Sequence, residues 1–159
     1  MAVTIICVGR LREKFFADAA EEYLKRLKRI MPVSVIEIPD EPEPAQPSEK
    51  LNEAVMKREG EKMLARIGAQ DHVIAMCIDG KQYESTELAG KIQNLFTQGK
   101  SNITFLIGGS LGIHPDVLRR ANERMSMSKM TFPHQLARVM LLEQLFRAAK
   151  INAGERYHK

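Results

Sequence analysis

A glycine-rich turn directly follows a short apolar segment late in the chain. Residues 103–107 predict a buried strand, and Gly108–Gly112 (GGSLG) comes immediately after it. Glycines let a backbone approach a ligand closely and adopt positive φ, and α/β proteins bind ligands where their strands end. The spacing matches neither GxGxxG nor the phosphate loop GxxxxGK[ST], since no lysine follows. The turn indicates either a cofactor site or a tight turn without a ligand, and spacing alone favours neither.

A second segment mixes apolar side chains with hydroxyl groups. Residues 127–134 read MSKMTFPH. Such a stretch can hold an adenine through backbone hydrogen bonds and apolar contacts. It can also be a buried connection between a strand and a helix. Taken without its context, the segment favours this second interpretation.

Histidines are the other chemically active side chains. The chain has four, namely His72, His114, His134 and His158. No pair has metal-ligand spacing such as HExxH, so we expect no metal site. His134 falls in the first turn of a predicted helix, where it can stabilise that turn. Tyr157-His158-Lys159 places a stacking ring, an imidazole and an ammonium within three residues, although disorder is the usual state of such a position.

The elements that position these residues alternate between strand and helix, which predicts an α/β fold with a largely parallel sheet flanked by helices. The predicted strands are residues 3–8, 33–38, 73–78, 103–107 and 125–128. The predicted helices are 12–30, 49–67, 85–98, 115–122 and 133–149. Residues 39–47, with four prolines and three acids, predict a surface loop. We expect one domain over residues 1–159.

Composition limits the classes of function. The chain has 159 residues, 44% of them hydrophobic and 28% charged, which excludes a disordered or fibrous protein. Its net charge of +4 permits a nucleic-acid partner without requiring one. Residues 37–61 carry eight acids and three bases, whereas residues 119–159 carry nine bases and three acids. Such a run of charge is often only a solvated face, but a basic end joined to Tyr157 and His158 fits RNA contact somewhat better than chance.

Location and assembly are predicted from apolar residues. Cys7 and Cys77 lie in apolar segments and are expected to be buried thiols in a reducing compartment. No segment has the roughly 20 apolar residues of a membrane span, so we expect a cytoplasmic protein. Residues 139–145 are apolar almost all round, which indicates either a helix packed inside the domain or a homodimer interface.

Taken in order along the chain, these fragments resemble a known family. They are Gly80-Lys81, Ile107-Gly108-Gly109 with Gly112, Ser126, Ser128, Thr131, Pro133-His134, Arg138, Glu143, Arg147-Ala148 and Tyr157-His158. The ordered set resembles the ribosomal RNA large-subunit methyltransferase H family, small SPOUT-type enzymes that methylate N3 of a pseudouridine in large-subunit (23S) rRNA. The resemblance runs from end to end and includes residues 8–9 and 36–39.

The resemblance implies a SPOUT-type fold with a C-terminal trefoil knot, a homodimer, and bent S-adenosylmethionine held by the knot loops. By position, the family's cofactor contacts fall on Met76, Gly108, Met127, Ser128, Lys129, Met130, Thr131 and Phe132. The sequence departs from the commoner family pattern at Met76, Leu111 and Phe146. Phe146 lacks the hydroxyl of the frequent tyrosine, so a role that needs this group is in doubt.

The implied mechanism places Tyr157 and His158 over the target base, with His158 as candidate proton acceptor. The alternative is direct loss of the N3 proton to solvent, with the tail only positioning the base. The proposed phosphate contacts are Arg10, Arg12, Lys14, Arg138, Arg147, Arg156 and Lys159. Arg138 and Arg147 could instead pair with Glu143 and other carboxylates. The implied substrate is the assembled ribosome or large subunit.

Two other classes of function fit the same sequence. One is a non-catalytic RNA- or ribosome-binding factor that uses only the basic end of the chain. The other is a nucleotide-binding α/β protein that acts on a small molecule. Binding of S-adenosylmethionine separates the first class from a methyltransferase.

Overall fold

The computed structural model describes residues 1–159 and contains five strands and five helices. The strands are β1 (Ala2–Val8), β2 (Val33–Ile38), β3 (His72–Gln82), β4 (Asn102–Ile107) and β5 (Glu123–Ser126). The helices are α1 (Lys14–Leu27), α2 (Glu49–Leu64), α3 (Ser85–Thr97), α4 (Pro115–Arg120) and α5 (His134–Asn152). The strands form one sheet in the order β2-β1-β4-β3-β5, and every neighbouring pair is parallel. The predicted α/β class with a parallel sheet is confirmed.

Helices cover both faces of the sheet, which explains why its central strands β1 and β4 are mostly apolar on both faces. On one face α1, α3 and α5 pack over a core that includes Ile5 and Phe105, both fully buried. On the other face α2 and α4 cover a smaller core around Ile6 and Leu106. Alternate side chains of β1 and β4 therefore enter different cores, as the period of two in a strand requires.

Local sequence signals set several helix ends. The Ser48 hydroxyl accepts a hydrogen bond from the backbone N–H of Leu51 at 3.2 Å, which confirms Ser48 as the N-cap of α2. Glu84 and Glu87 form a reciprocal capping box at the start of α3. Gly99 has a φ of +84° just beyond the end of α3, as expected of a residue that stops a helix.

Strand β3 is where the sequence prediction was wrong. The apolar residues predict a strand over 73–78 that Asp79-Gly80 closes, but β3 continues to Gln82. Met76 and Lys81 both lie opposite Met125 of β5, so the four residues between them leave the regular pairing. We call residues 77–80 the bulge. Strand β5 also begins and ends two residues earlier than predicted.

The bulge depends on Gly80. A Cβ atom at this position would lie 2.5 Å from the carbonyl carbon of Met125 and 2.6 Å from its nitrogen. Only a residue without a side chain lets β3 pass this close to the backbone of β5 and then resume pairing.

Helix α5 packs into the core of the domain, which accounts for much of its apolar surface. Leu141, Leu142 and Leu145 are fully buried against the sheet and the neighbouring helices, whereas Val139 and Met140 are only half-buried. No helix combines the length and the hydropathy that a bilayer span needs. The homodimer and the trefoil knot stay predictions.

Replacement of Gly80 by alanine tests the role of the bulge in stability. We expect Gly80→Ala to lower the free energy of unfolding by about 1–3 kcal/mol, because the new Cβ displaces β5. Gly90 in α3 is a matched control, since a Cβ there meets nothing within 4 Å. Gly90→Ala should raise the free energy of unfolding by about 0.4–1 kcal/mol, because alanine reduces the conformational entropy of the unfolded chain. Urea titration measures both, and equal midpoints for the two variants would contradict this account.

Candidate functional site

A cavity of about 760 Å³ lies at the edge of the sheet where β4 and β5 end and where β3 leaves its regular pairing with β5. Three segments form most of its lining: residues 76–79, residues 107–113 and residues 125–134 without Lys129. The first contains most of the bulge, the second is the glycine turn after β4, and the third joins β5 to α5. Because these strands are neighbours in the sheet, segments far apart in the chain meet here.

The glycine turn is folded tightly on itself. The N–H of Gly112 donates to the carbonyl of Gly109 at 3.1 Å, and Gly112 has a φ of +92°. A Cβ on Gly108 would lie 2.8 Å from the Ile113 side chain and 2.9 Å from the carbonyl carbon of Gly112. The turn therefore keeps its shape only while residue 108 has no side chain, and this leaves backbone groups facing the cavity open to a ligand.

Hydroxyl groups hold the segment between β5 and α5 in shape. Ser126 Oγ donates to the carbonyl of Ser128 at 2.8 Å, and Ser128 Oγ accepts from the N–H of Met130 at 3.0 Å. Met127 packs against the core, whereas Met130 is 71% exposed although it lines the cavity. These local bonds explain why serines alternate with apolar residues in this segment.

Seven of the eight predicted cofactor contacts line this cavity, and Lys129 does not. The sequence analysis missed Cys77, Ile78 and Asp79, because nothing in an apolar strand pattern signals that its last residues leave the sheet. His134, the last residue of the stretch that was expected to hold an adenine, also lies in the cavity wall, where the start of α5 places it.

A smaller, acidic cavity of about 130 Å³ lies behind the glycine turn. The carboxylates in its lining are Asp40, Glu41, Glu43 and Glu59. Gly109, Ser110 and His134 belong to the walls of both cavities. The Ser110 hydroxyl donates to the Glu43 carboxylate, and the Glu41 N–H donates to Glu59 Oε1 at 3.2 Å. The acidic 39–47 loop thus supports the turn from behind.

Glu59 is a buried carboxyl group. Its side chain is 95% removed from solvent, and burial raises its pKa above the usual range. The N–H of Glu41 opposes this shift, while the carboxylates of Asp40 and Glu41 add to it.

Arg138 is buried rather than available to a phosphate, which corrects the sequence prediction. Only 2% of the residue is exposed. Its Nη1 donates to Glu37 Oε2 at 2.7 Å and its Nη2 donates to the carbonyl of Gly9 at 2.8 Å. The alternative of carboxylate pairing is therefore realised, with Glu37 rather than Glu143. The guanidinium ties the start of α5 to the ends of β1 and β2.

The tail, residues 153–159, folds back against α5. Tyr157 Oη donates to Glu143 Oε1 at 3.2 Å, and its ring meets the ring of Phe146 edge-on at 4.9 Å. Arg147 donates to Glu143 at 2.6 Å and lies 4.8 Å from the centre of the Tyr157 ring. Burial and the Glu143 carboxylate raise the pKa of Tyr157. His158 completes the group, with its Nδ1 3.4 Å from Arg147 Nη1.

The tail lies far from the large cavity of its own chain. Arg147 follows His134 by thirteen residues, which is about 20 Å along an α-helix. His134 lines the cavity, whereas Arg147 contacts His158. Helix α5 thus separates Tyr157 and His158 from the cavity.

The remaining predicted phosphate contacts form two groups. Arg10, Arg12 and Lys14 are exposed near the start of α5, where the Arg12 N–H donates to Gln135 at 3.0 Å. Arg12 and Lys14 form solvent-exposed ion pairs with Asp40 and Asp18. Arg156 and Lys159 are exposed in the tail. No group of three or more His, Cys, Asp or Glu side chains is arranged to hold a metal ion.

Comparison with known proteins places this architecture in a family. The family model described as "Predicted SPOUT methyltransferase" matches residues 1–158. The chain belongs to the SPOUT methyltransferase family. It is 52% identical to the ribosomal RNA large subunit methyltransferase H of Clostridium novyi (strain NT) over the whole length of both proteins. It is 50% identical to the protein of that name from Exiguobacterium sibiricum, again over both full lengths. The predicted family resemblance is confirmed.

A solved structure has a similar fold. A probable methylase family protein from Haemophilus influenzae Rd KW20 superposes with a TM-score of 0.54 at 13% identity. The match covers 99% of this chain and 70% of the other. At this identity the likeness concerns the fold alone.

SPOUT methyltransferases take their methyl group from S-adenosylmethionine, and the large cavity fits this molecule. Its volume lies within the roughly 300–1,000 Å³ of small-molecule sites. Apolar side chains such as Met76 and Met127 suit an adenine, while the uncovered backbone at Gly108 offers hydrogen-bonding groups.

Replacement of Glu59 tests the electrostatics behind the glycine turn. The pKa of Glu59 is higher in the folded than in the unfolded protein. Its protonated carboxyl group therefore stabilises the fold fully below the unfolded pKa of about 4.3, and this stabilisation is lost as the pH rises. Glu59→Gln keeps the acceptor for Glu41 and removes the charge. We expect the variant to unfold at a higher temperature than the parent protein at pH 7 and at the same temperature near pH 4. Glu61→Gln, exposed on the same helix, is the control. A Glu59→Gln midpoint at pH 7 equal to that of the parent would refute the assignment.

Proposed function

We propose that the protein methylates N3 of a pseudouridine in large-subunit (23S) rRNA and uses S-adenosylmethionine as the methyl donor. The observation that carries the proposal is the full-length match to ribosomal RNA large subunit methyltransferases H, together with the cavity at the sheet edge. We further propose that residues 1–159 act as one domain, in the cytoplasm, on the assembled ribosome or large subunit.

The cofactor would be held by Met76, Gly108 and the segment from Met127 to Phe132. When bound, S-adenosylmethionine supplies an electrophilic methyl group on a sulfonium. Met76 and Met127 would pack on the adenine, and the Gly108 turn would hydrogen-bond through its backbone. Lys129 lies outside the cavity wall, so its role stays a prediction from position in the sequence. Rigid placement of two reactants can lower a barrier by roughly 7–11 kcal/mol in favourable cases.

The distance along α5 supports a site shared between two copies of the chain. The tail cannot serve the cavity of its own chain while it is packed on Glu143 and Phe146. In a homodimer the tail of one copy can reach the cavity of the other, and half-buried Val139 and Met140 offer apolar surface for the contact. Tyr157 and His158 would then contact the target base.

Basic residues at both ends of α5 would contact the rRNA backbone. Near the cavity these are Arg10, Arg12 and Lys14, and at the other end they are Arg147 of α5 with Arg156 and Lys159 of the tail. Arg12 and Lys14 pair with carboxylates only on the surface, where such pairs contribute little and exchange readily for a phosphate. Arg138 is left out of this set because it is buried.

Transfer of labelled methyl groups to purified ribosomes tests the function. We expect label in large-subunit rRNA at a single pseudouridine, with the methyl group on N3. Absence of label, together with no heat of S-adenosylmethionine binding in calorimetry, would instead indicate an RNA-binding factor without catalysis. Label that appears only in a small molecule would also overturn the proposal.

Replacement of Gly108 tests the cofactor assignment. We expect Gly108→Ala to weaken S-adenosylmethionine binding at least tenfold. The new Cβ would clash with the Ile113 side chain and the Gly112 backbone and so distort the turn. Gly90→Ala is the control, since its Cβ meets open space on α3. Calorimetric titration measures both. Unchanged affinity in folded Gly108→Ala would exclude the glycine turn from cofactor binding.

Mixing two defective variants tests the shared site, at an S-adenosylmethionine concentration too low to fill the Gly108→Ala cavity. One chain carries Gly108→Ala and an intact tail, and the other has an intact cavity but is truncated after Ala153. Random pairing makes half of the dimers mixed, and each mixed dimer has one complete site of two. Co-expression should therefore restore about a quarter of the parent activity. Sites built within one chain would give none.

A further inference from the structure

His134 stands apart from the other histidines in its surroundings. His72 hydrogen-bonds to Glu123, His114 accepts from the N–H of Asp116, and His158 contacts Arg147. The ring of His134 makes no hydrogen bond with any group of the chain. It lines both the large cavity and the acidic cavity behind the glycine turn. An imidazole in this position has both nitrogens available for chemistry.

The backbone around His134 holds the ring in this wall. Its Nε2 lies 3.9 Å from the point where a Cβ of Gly9 would be, and Gly9 has a φ of +84°. Arg138, one helical turn later, is bonded to the carbonyl of Gly9. The hydrogen bond from Arg138 to the Gly9 carbonyl fixes the start of α5 beside the end of β1, and it thereby places the His134 ring next to Gly9.

Burial is the main factor that favours the neutral form of His134. The charged groups that face it are Arg138 of α5, Arg12 after β1, Asp40 after β2, and the acidic-cavity residues Glu41, Glu43 and Glu59. Burial and then Arg138 lower the pKa of His134, Arg12 lowers it further, and Asp40 opposes them. At neutral pH the ring is therefore unprotonated and can accept a proton.

We infer that His134 accepts the proton that leaves N3 of the target base during methyl transfer. This inference rests on the proposed function. The N3–H bond breaks and its proton passes to the imidazole, while the N3 electron pair forms the bond to the methyl carbon. The carbon–sulfur bond breaks, and its electron pair stays on sulfur, which becomes a neutral thioether. His158 then contacts the base without taking its proton.

The acidic cavity gives the proton a way out. An imidazole can bind a proton on one nitrogen and release another from the second, so His134 can connect the two cavities it lines. On the far side stand four carboxylates, of which Glu59 has a pKa raised by burial. At about 130 Å³ this cavity also has room for several water molecules.

The test compares single-turnover methylation of ribosomes by the parent protein, His134→Asn and His158→Asn, at saturating S-adenosylmethionine. The parent rate should be constant above about pH 6.5. We expect His134→Asn to lower the rate at pH 7 by about 10²–10⁴-fold and to make it rise with pH up to about pH 9. His158→Asn should keep the parent pH profile. Added imidazole should partly restore His134→Asn.

Calorimetric titration with S-adenosylmethionine of His134→Asn and of a second variant, His134→Gln, completes the test. Cofactor affinity of His134→Asn should stay within about threefold of the parent, because the assigned role is proton transfer rather than binding. A parent-like rate and pH profile in His134→Asn would overturn the inference. The inference would also be overturned if both His134 variants lost cofactor binding and imidazole did not restore their methylation rate, because these two results together indicate a structural role for His134. If the parent itself leaves rRNA unlabelled, the proposed function fails instead.

Discussion

Everything in this site depends on one constraint, the parallel pairing of β4, β3 and β5. Parallel strands bring their carboxyl ends to the same edge, so the segments that follow them meet there whatever their distance in sequence. The pairing of β3 with β5 is interrupted after Met76 and resumes at Lys81. This interruption opens the wall of the large cavity, and Gly80 makes it sterically feasible.

The buried charge of Arg138 and a surface hydrogen bond then fix the elements around that edge. Arg138 joins α5 to Glu37 and to the Gly9 carbonyl, so the start of α5 is held to β1 and β2. The acidic 39–47 loop meets the glycine turn from behind through Glu43 and Ser110. Burial of Arg138 costs desolvation free energy, and together the two contacts give the cavity walls a defined position. His134 lies where the two sets of contacts meet.

Helix α5 links the cavity with the tail and keeps them apart. Its first turns line the cavity and its last turns hold Tyr157 through Glu143, Arg147 and Phe146. A rigid helix cannot bring its own two ends together. The tail and the cavity of one chain therefore lie at opposite ends of α5, which is the geometry behind the proposed site shared between two copies.

The sequence predicted the elements better than their contacts. Continuous β-branched segments identified β1, β2 and β4, and Ser48 and Gly99 marked helix ends, because these signals act within a few residues. The register break in β3 depends on the approach of Gly80 to Met125, a pair that no local pattern connects. The burial of Arg138 depends on Glu37, about one hundred residues away. The family resemblance supplied most of the site and already included His134. Cys77, Asp79 and the position of His134 between two cavities required the three-dimensional structure.

A crystal structure of the protein with S-adenosylmethionine tests the central claim most directly. The account predicts the adenosyl group between the bulge, the glycine turn after β4 and the segment before α5. Density for the ligand at another surface, with these three segments left bare, would contradict it.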